Sequence, residues 1–309
     1  MTADERPARK FPLRLDELKP VQRKATPQPA RKPPAVAAVP SPRAPLAAVQ
    51  MRPVLRPVLR PVLRPVLRPQ QQVAHAHVDA ARRTAPSGMG LDSADVRRRM
   101  TQRLHAAGVR NEHVLDAMAR VPRHLFVDAA LVTQAYEDTS LPIGHGQTIS
   151  KPSVVARMIE LLMGGSHARA TQRLGRVLEI GTGCGYQAAV LALLAQQLVS
   201  VERLKPLHDK ARVLLAPMRP ANMRLVYGDG MLGHAPNAPY NSIIAAAGGD
   251  ALPTAWLEQL AVGGRLVSPM RQPGSERQVL VVVDRTEHGF EHSVFEAVHF
   301  VPLKSGMVG

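Results

Sequence analysis

The amino-acid sequence predicts an α/β fold, built on a doubly wound and mainly parallel sheet of seven strands. Three observations support this prediction. Strand-like and helix-like runs alternate after residue 175, a glycine-rich turn follows the first of these strands, and the composition changes sharply near residue 90. Strands that alternate with helices are typical of parallel sheets with right-handed crossovers. We therefore divide the 309 residues into a disordered basic tail, 1–90, and one folded domain, 91–309, that begins with a helical cap.

The tail is set apart by its composition. Residues 1–90 hold 17 Lys and Arg against 5 Asp and Glu, 16 of the 28 prolines and one aromatic residue, Phe11. So few large apolar side chains cannot bury a core that offsets the entropy of ordering, so we expect disorder. Four copies of Arg-Pro-Val-Leu at 52–69 put proline at every fourth position, which favours an extended chain. We interpret this segment as solvated low-complexity chain; a basic arm that binds polyanions is the alternative.

Helices are predicted at the start of the domain. Asp92 or Ser93 caps the first helix, and Gly108 ends it. Asn111 caps the second, which stops before Pro122 because proline disfavours helical backbone in the preceding residue. An irregular segment and a third helix complete the predicted cap, at 123–152 and 154–163.

Runs rich in Val, Ile and Leu then mark the strands of the sheet. The seven candidates lie at 176–181, 198–202, 222–228, 240–247, 264–270, 277–284 and 293–301. Helical runs lie among the first five, near 185–197, 205–216 and 253–261. No helical run separates the last two strands, so we expect them to form an antiparallel edge of the sheet.

A glycine-rich loop follows the first strand, in the stretch RVLEIGTGCGY at 176–186. Gly181, Gly183 and Gly185 let the backbone turn sharply and approach a ligand, at the carboxyl edge where open α/β sheets bind ligands. Glu202 ends the second strand, 21 residues after Gly181, where its carboxylate can accept hydrogen bonds from both ribose hydroxyls. The glycines alone fit a structural tight turn equally well. Together with Glu202 they indicate a nucleotide-like cofactor.

Spacing and nearby charge favour S-adenosyl-L-methionine over a dinucleotide. A dinucleotide loop has the pattern G-x-G-x-x-G, whereas this one has G-x-G-x-G. Glu179 adds negative charge near the loop, and Asp229 ends the third strand, where it is placed to bond an adenine amino group. Such charge repels a pyrophosphate and suits the sulfonium and amino group of S-adenosyl-L-methionine. The predicted cofactor-binding residues are Glu179, Gly181, Thr182, Gly183, Gly185, Glu202, Asp229 and Gly230.

Five motifs give the sequence a family resemblance: LPIGHGQTISKP (141–152), VLEIGTGCGYQ (177–187), VER (201–203), YGDG (227–230) and FVPL (300–303). Together they resemble the protein-L-isoaspartate O-methyltransferases over residues 91 to about 305. The resemblance implies a fold of the class I S-adenosylmethionine-dependent methyltransferase type. It also implies methyl transfer from S-adenosyl-L-methionine to the free α-carboxylate of L-isoaspartyl residues in damaged proteins and peptides, with repair through a succinimide.

The resemblance assigns an active-site role to the serine of the T-I-S motif, here Ser150, with His145, Thr148 and Ile149 as substrate-binding candidates. A carboxylate is already ionised at neutral pH, so its methylation needs no general base. We therefore expect Ser150 to aim the carboxylate as a hydrogen-bond donor rather than act as a nucleophile. Methylation of nucleic acid or a small molecule, prompted by the basic tail, is a second interpretation, and a non-enzymatic role is a third.

Three features depart from the family pattern. Asn241 stands where the family commonly has Asp, Gly248 and Gly249 replace prolines, and Lys151 follows the motif serine where a neutral residue is usual. We expect these changes to affect efficiency rather than the class of reaction.

The remaining expectations concern the compartment and the partners. No stretch reaches the roughly 18 consecutive apolar residues of a membrane span. Cys184 is the only cysteine, which excludes an internal disulfide and suits a reducing compartment. His75 and His77 are too few ligands for a structural metal site. We expect a cytoplasmic monomer with no metal and no stable nucleic-acid partner.

Overall fold

A computed structural model of the chain describes residues 94–218 and 220–309. The predicted tail, its Arg-Pro-Val-Leu repeats, and the candidate caps Asp92 and Ser93 lie outside the described residues. The division of the chain at residue 90 therefore stays a prediction.

Two helices open the described part, α1 (Ala94–Ala106) and α2 (Glu112–Arg120). Asn111 caps α2 as predicted, because its Oδ1 accepts a hydrogen bond from the Val114 N–H at 3.1 Å. The two helices pack against each other and bury their apolar faces in the main core of the domain. The predicted helical cap is confirmed.

The segment predicted to be irregular contains a β-hairpin. Its two strands pair antiparallel and are β1 (Leu141–Gly144) and β2 (Gln147–Ile149). His145 and Gly146 connect the strands with φ values of 54° and 67°, the left-handed backbone that two-residue hairpin loops favour. The prediction missed this hairpin because strands of three and four residues are too short to show a period. Its register fixes the main chain that leads into Ser150.

The central sheet has seven strands within the described residues, as predicted. They are β3 (Arg176–Ile180), β4 (Gln197–Glu202), β5 (Met223–Tyr227), β6 (Tyr240–Ala245), β7 (Leu260–Arg271), β8 (Gln278–Thr286) and β9 (Gly289–Val298). Their order is β5-β4-β3-β6-β7-β8-β9, parallel from β5 to β7 and antiparallel from there to β9. The doubly wound topology and the antiparallel edge are confirmed. A ligand crevice is expected at the carboxyl end of β3, where the winding reverses.

Helices cover both faces of this sheet. They are α3 (Pro152–Met163), α4 (Ser166–Thr171), α5 (Tyr186–Leu194), α6 (Lys205–Leu215) and α7 (Thr254–Gln259). Alternate residues of β3 face opposite sides, as in any strand: Val177 packs in the core that contains α3 and α5, and Leu178 packs with Trp256 of α7. Among the described residues, no helix is both long enough and apolar enough to cross a membrane.

Three details differ from the predicted elements. Strand β9 spans Gly289–Val298 rather than 293–301. Strand β7 begins at Leu260 rather than at Gly264. It continues through a register shift next to Gly263 and Gly264, two residues that the prediction places outside or at the start of the strand because glycine is typical of loops. Helix α4 was not predicted, since six residues are too few to display a helical period.

Candidate active site

A cavity of about 450 Å³ lies at the carboxyl ends of β3 and β4. It is lined by the β1–β2 hairpin, the glycine loop, the end of β4 and a C-terminal stretch at 301–304. The predicted site residues that line it are His145, Thr148, Ile149, Ser150, Gly181, Thr182, Gly183, Glu202 and Gly230. The two motifs that the sequence assigned to substrate and to cofactor therefore share one cavity.

The three loop glycines all adopt positive φ, at 88°, 56° and 94° for Gly181, Gly183 and Gly185. A Cβ added at Gly183 would lie 3.2 Å from Ile143 Cδ1, so this glycine lets the loop lie against the hairpin. Gly185 lies outside the cavity lining, and a Cβ there would lie 2.8 Å from Leu215 Cδ1. The absence of a side chain at Gly185 therefore lets the loop pack against α6.

Glu202 is the acidic group that the fold presents to the cavity. Its side chain is buried, with Oε2 accepting a hydrogen bond from the Gly183 N–H and Oε1 one from the Leu204 N–H, both at 2.9 Å. These two main-chain donors fix the carboxylate at the end of β4. Each carboxylate oxygen has a second lone pair, so the group can still accept hydrogen bonds from a diol.

Glu179 lies elsewhere than its sequence position suggested. It shares the α5 side of β3, is fully buried, and does not line the cavity. Ser200 Oγ lies 2.5 Å from its Oε2, and Gln187 Nε2 donates to its Oε1 at 3.0 Å. Burial, the largest cause, raises the pKa of Glu179 to about 8 against the opposing effect of these hydrogen bonds. At neutral pH Glu179 therefore supplies little of the negative charge that we expected from its position in the sequence. Its contact with Ser200 instead supports Thr182, whose Oγ1 lies 2.5 Å from Ser200 Oγ.

Asp229 is engaged within the chain. Its Oδ1 accepts a hydrogen bond from the Met231 N–H at 2.9 Å, and its Oδ2 accepts from Ser305 Oγ at 2.8 Å and the Gly306 N–H at 2.6 Å. Burial tends to raise the pKa of Asp229, but these bonds outweigh it and lower the pKa. The carboxylate does not line the cavity, whereas the adjacent Gly230 does. The structure thus makes Asp229 one of the attachment points of the C-terminal segment, together with Arg203 and Lys205.

Ser150 lies where the hairpin passes into α3. It is partly exposed and lines the cavity, and among the described residues no side chain or main-chain group bonds its Oγ. The hydroxyl is therefore available as a donor towards the cavity. Cys184, which also lines the cavity, is buried, and burial raises the pKa of its thiol to about 11, as expected for a packing residue rather than a nucleophile.

The departures from the family pattern fall in different places. Asn241 lies at the amino end of β6, away from the cavity, where its Oδ1 accepts a hydrogen bond from the Arg176 N–H at 2.9 Å. Gly248 bonds the C-terminal stretch, donating to the Val301 carbonyl at 2.9 Å and accepting from the Leu303 N–H at 2.7 Å. Gly248 therefore holds one wall of the cavity.

Sequence reasoning missed three contributors to the site. The C-terminal stretch was recognised only as a motif, although Val301 and Leu303 line the cavity. Tyr186 lines it from the first turn of α5, and Arg123 lies behind Ser150, with Nη2 donating to the Ser150 carbonyl at 2.8 Å. Val301, Leu303 and Tyr186 lie in motifs that the sequence shows, but the contacts that bring them to one cavity join residues far apart in the chain and do not follow from local spacing.

The doubly wound sheet, the glycine loop and the carboxylate at the end of β4 define a class I S-adenosylmethionine-dependent methyltransferase. The family model of protein-L-isoaspartate(D-aspartate) O-methyltransferase matches residues 95–308. The chain belongs to this family.

Known proteins resemble the chain in sequence and in fold. A protein-L-isoaspartate O-methyltransferase of Methylibium petroleiphilum is 55% identical over 307 residues, which are 99% of both chains. A solved protein-L-isoaspartate O-methyltransferase has a TM-score of 0.60 and 28% identity, over 68% of this chain and 66% of its own. A Plasmodium falciparum structure assigned to the same family, in complex with S-adenosyl-L-homocysteine, has a TM-score of 0.58 and 21% identity, over 67% and 98%; it supports the fold.

Proposed function

We propose that the cavity brings two reactants together, with S-adenosyl-L-methionine along the glycine loop and the isoaspartyl carboxylate at the hairpin beside Ser150. As a member of its family, the chain is an enzyme that transfers a methyl group from S-adenosyl-L-methionine to the free α-carboxylate of L-isoaspartyl residues in damaged proteins and peptides. The observation that carries the proposed arrangement is that both motifs line one cavity.

The residues of the donor side fit the cofactor. Glu202 is fixed by two main-chain donors and keeps lone pairs for the ribose hydroxyls. Gly181 and Gly183 form the main-chain wall of the cavity with positive φ, and Gly230 lies close against β3, since a Cβ there would lie 2.5 Å from Ile180 Cγ2. When bound, S-adenosyl-L-methionine supplies a methyl group on a sulfonium.

The remaining predicted cofactor residues act from behind the cavity in this proposal. Glu179 braces Thr182 through Ser200, and Gly185 lets the loop pack on α6. Asp229 holds the C-terminal segment whose preceding residues form a wall of the site.

The acceptor side needs alignment rather than a base. The α-carboxylate is ionised at neutral pH, so no proton has to be removed before it attacks the methyl carbon. Attack forms a carbon–oxygen bond as the carbon–sulfur bond breaks and S-adenosyl-L-homocysteine leaves, so the opposite charges of the carboxylate and the sulfonium both disappear, which a cavity that excludes water favours. In this proposal Ser150 Oγ donates a hydrogen bond that aims one carboxylate oxygen, while Thr148, Ile149 and His145 shape the entrance.

A methyl-transfer assay tests the function. The full chain receives labelled S-adenosyl-L-methionine with matched peptides that contain isoaspartate or aspartate, and with RNA. We expect base-labile label on the isoaspartyl peptide alone, because only a methyl ester is released by base. Label on RNA would favour the alternative of nucleic-acid methylation, and label on nothing would refute the activity.

A pair of serine variants tests the acceptor side. Ser150→Ala should lower kcat about tenfold or more while the Kd of S-adenosyl-L-homocysteine stays unchanged, because the lost hydroxyl contacts only the acceptor. Ser153→Ala is the matched control, since Ser153 Oγ bonds Asp138 at 2.8 Å and is absent from the cavity lining. Full activity in Ser150→Ala would remove the proposed aiming role.

We further propose that the chain acts as a monomer in the cytoplasm, without a stable nucleic-acid partner. The single cysteine supports the location, because it suits a reducing compartment. Light scattering after gel filtration tests the monomer, and cell fractionation tests the location. A dimer mass or a membrane-bound fraction would contradict the proposal.

Deleting residues 1–85 tests the basic arm: unchanged salt-dependent retention on a polyanion resin would exclude polyanion binding by the tail.

A further inference from the structure

A buried arginine lies behind the active-site serine. Arg123 follows Pro122 in a 3₁₀ turn and is completely buried. Its Nε donates to the Ala135 carbonyl and its Nη2 to the Ser150 carbonyl, both at 2.8 Å. Its guanidinium carbon lies 4.7 Å from the centre of the Tyr186 ring. One planar group therefore contacts the turn, the end of the hairpin and the first residue of α5.

The surroundings of this guanidinium satisfy it only in part. Its hydrogen-bond acceptors are neutral main-chain carbonyls, and among the described residues its Nη1 has no hydrogen-bond partner. Burial lowers the pKa of Arg123, with Tyr186 and Cys184 opposing that effect. An arginine nonetheless remains charged at physiological pH. A buried charge with an unpaired donor carries a desolvation cost, set against the hydrogen bonds that the guanidinium donates to two main-chain carbonyls.

The position of Arg123 relative to the cavity links it to the active site. Ser150 and Tyr186 both line the cavity, the first on the acceptor side and the second directly after the glycine loop. Arg123 lies between them, bonded to one and stacked on the other. Because the guanidinium is rigid and planar, it fixes the Ser150 peptide relative to the start of α5.

We propose that Arg123 is a positioning residue for methyl transfer, which sets the distance and angle between the carboxylate aimed by Ser150 and the methyl donor beside the glycine loop. It touches neither reactant and acts through the Ser150 carbonyl and the Tyr186 ring. A misplacement of about 1 Å between reactants lowers a rate by roughly 100-fold, so loss of this tether should appear in kcat. The inference rests on the proposed role of Ser150.

Two substitutions separate positioning from folding. Arg123→Lys keeps the charge but has no planar face and no second nitrogen to hold both carbonyls. Arg123→Met removes the buried charge and keeps much of the volume, but it leaves the Ala135 and Ser150 carbonyls without their donor, so we expect a lower Tm with the fold retained. For both variants we expect a kcat reduced about 10- to 100-fold at saturating isoaspartyl peptide. The Kd of S-adenosyl-L-homocysteine should stay within about twofold, measured at a temperature at which both variants are folded.

Arg173→Lys is the matched control. Arg173 also holds a main-chain carbonyl, that of Ala195 at 2.9 Å, but lies outside the cavity lining, so its kcat should equal that of the wild type. A double variant with Ser150→Ala distinguishes the two proposals: if Arg123 acts through Ser150, the two losses of kcat are less than multiplicative. Unchanged activity of Ser150→Ala alone refutes the serine role, whatever Arg123 does.

Three results would overturn the positioning role. One is wild-type kcat in Arg123→Met. Another is a loss of kcat that disappears at a lower temperature where the variant is fully folded. The third is failure of both variants to fold, which would show that Arg123 acts in stability.

Discussion

Glu179 should make the protein progressively less stable as the pH rises from about 4.5 to about 8. Its pKa is about 8 in the folded chain against an ordinary value of 4.5, chiefly because burial disfavours the charged form. Between these values the folded state keeps the proton and the unfolded state has lost it, so stability falls by about 1.4 kcal/mol per pH unit. Below the window the carboxyl is neutral in both states. Above it the full penalty, about 5 kcal/mol, is present.

Glu179→Gln measures this penalty directly. Glutamine keeps the size of the side chain and an oxygen for the hydrogen bond from Gln187, but it cannot ionise. Urea unfolding of both proteins at about pH 5.5 and about pH 8.5 gives the difference in unfolding free energy, in which the other titrating groups cancel. We expect this difference to shift by about 3 kcal/mol in favour of the variant at the higher pH. If the difference in unfolding free energy between the variant and the wild type is the same at both pH values, the carboxyl of Glu179 does not have a raised pKa.

Three further predictions concern the walls of the cavity. Glu202→Gln should weaken binding of S-adenosyl-L-homocysteine about tenfold in calorimetry because a neutral amide is a poorer acceptor for a diol; unchanged affinity would contradict the ribose role. Gly185→Ala should lower the unfolding free energy by about 1 to 3 kcal/mol, because φ is 94° and the new Cβ would lie 2.8 Å from Leu215 Cδ1; a wild-type urea midpoint would disprove that packing constraint. Asp229→Asn should speed amide exchange at Gly306 by weakening a charged acceptor, and equal protection would show that the segment is held by other contacts.

Much of the architecture was predictable from local patterns. The alternation of strands and helices predicted the parallel order, and the missing helix before β9 predicted the antiparallel edge. The cap at Asn111 could be predicted because it depends on residues three apart in the chain. Elements of only three to six residues, such as β1, β2 and α4, contain too few repeats of their period to be predicted.

Some of the predicted site residues line the cavity and others do not, for a physical reason. Gly183 and Glu202 reached the cavity because a loop after one parallel strand and the end of the next strand meet at the same edge. Glu179 does not reach the cavity. The sequence shows its position along β3 but not its partner on the facing helix α5, which is Gln187. Its pKa follows from that burial rather than from its neighbours in sequence.

The sequence by itself determined the fold class, the cofactor loop and the family, since each rests on residue types at fixed short spacing. Only the tertiary structure decided that Asp229 holds residues 305 and 306, and that Arg123 lies between Ser150 and Tyr186. The physical reason is that the direction and the partner of a buried polar side chain depend on groups brought in from distant segments. Their desolvation and hydrogen bonds exist only once the chain has packed.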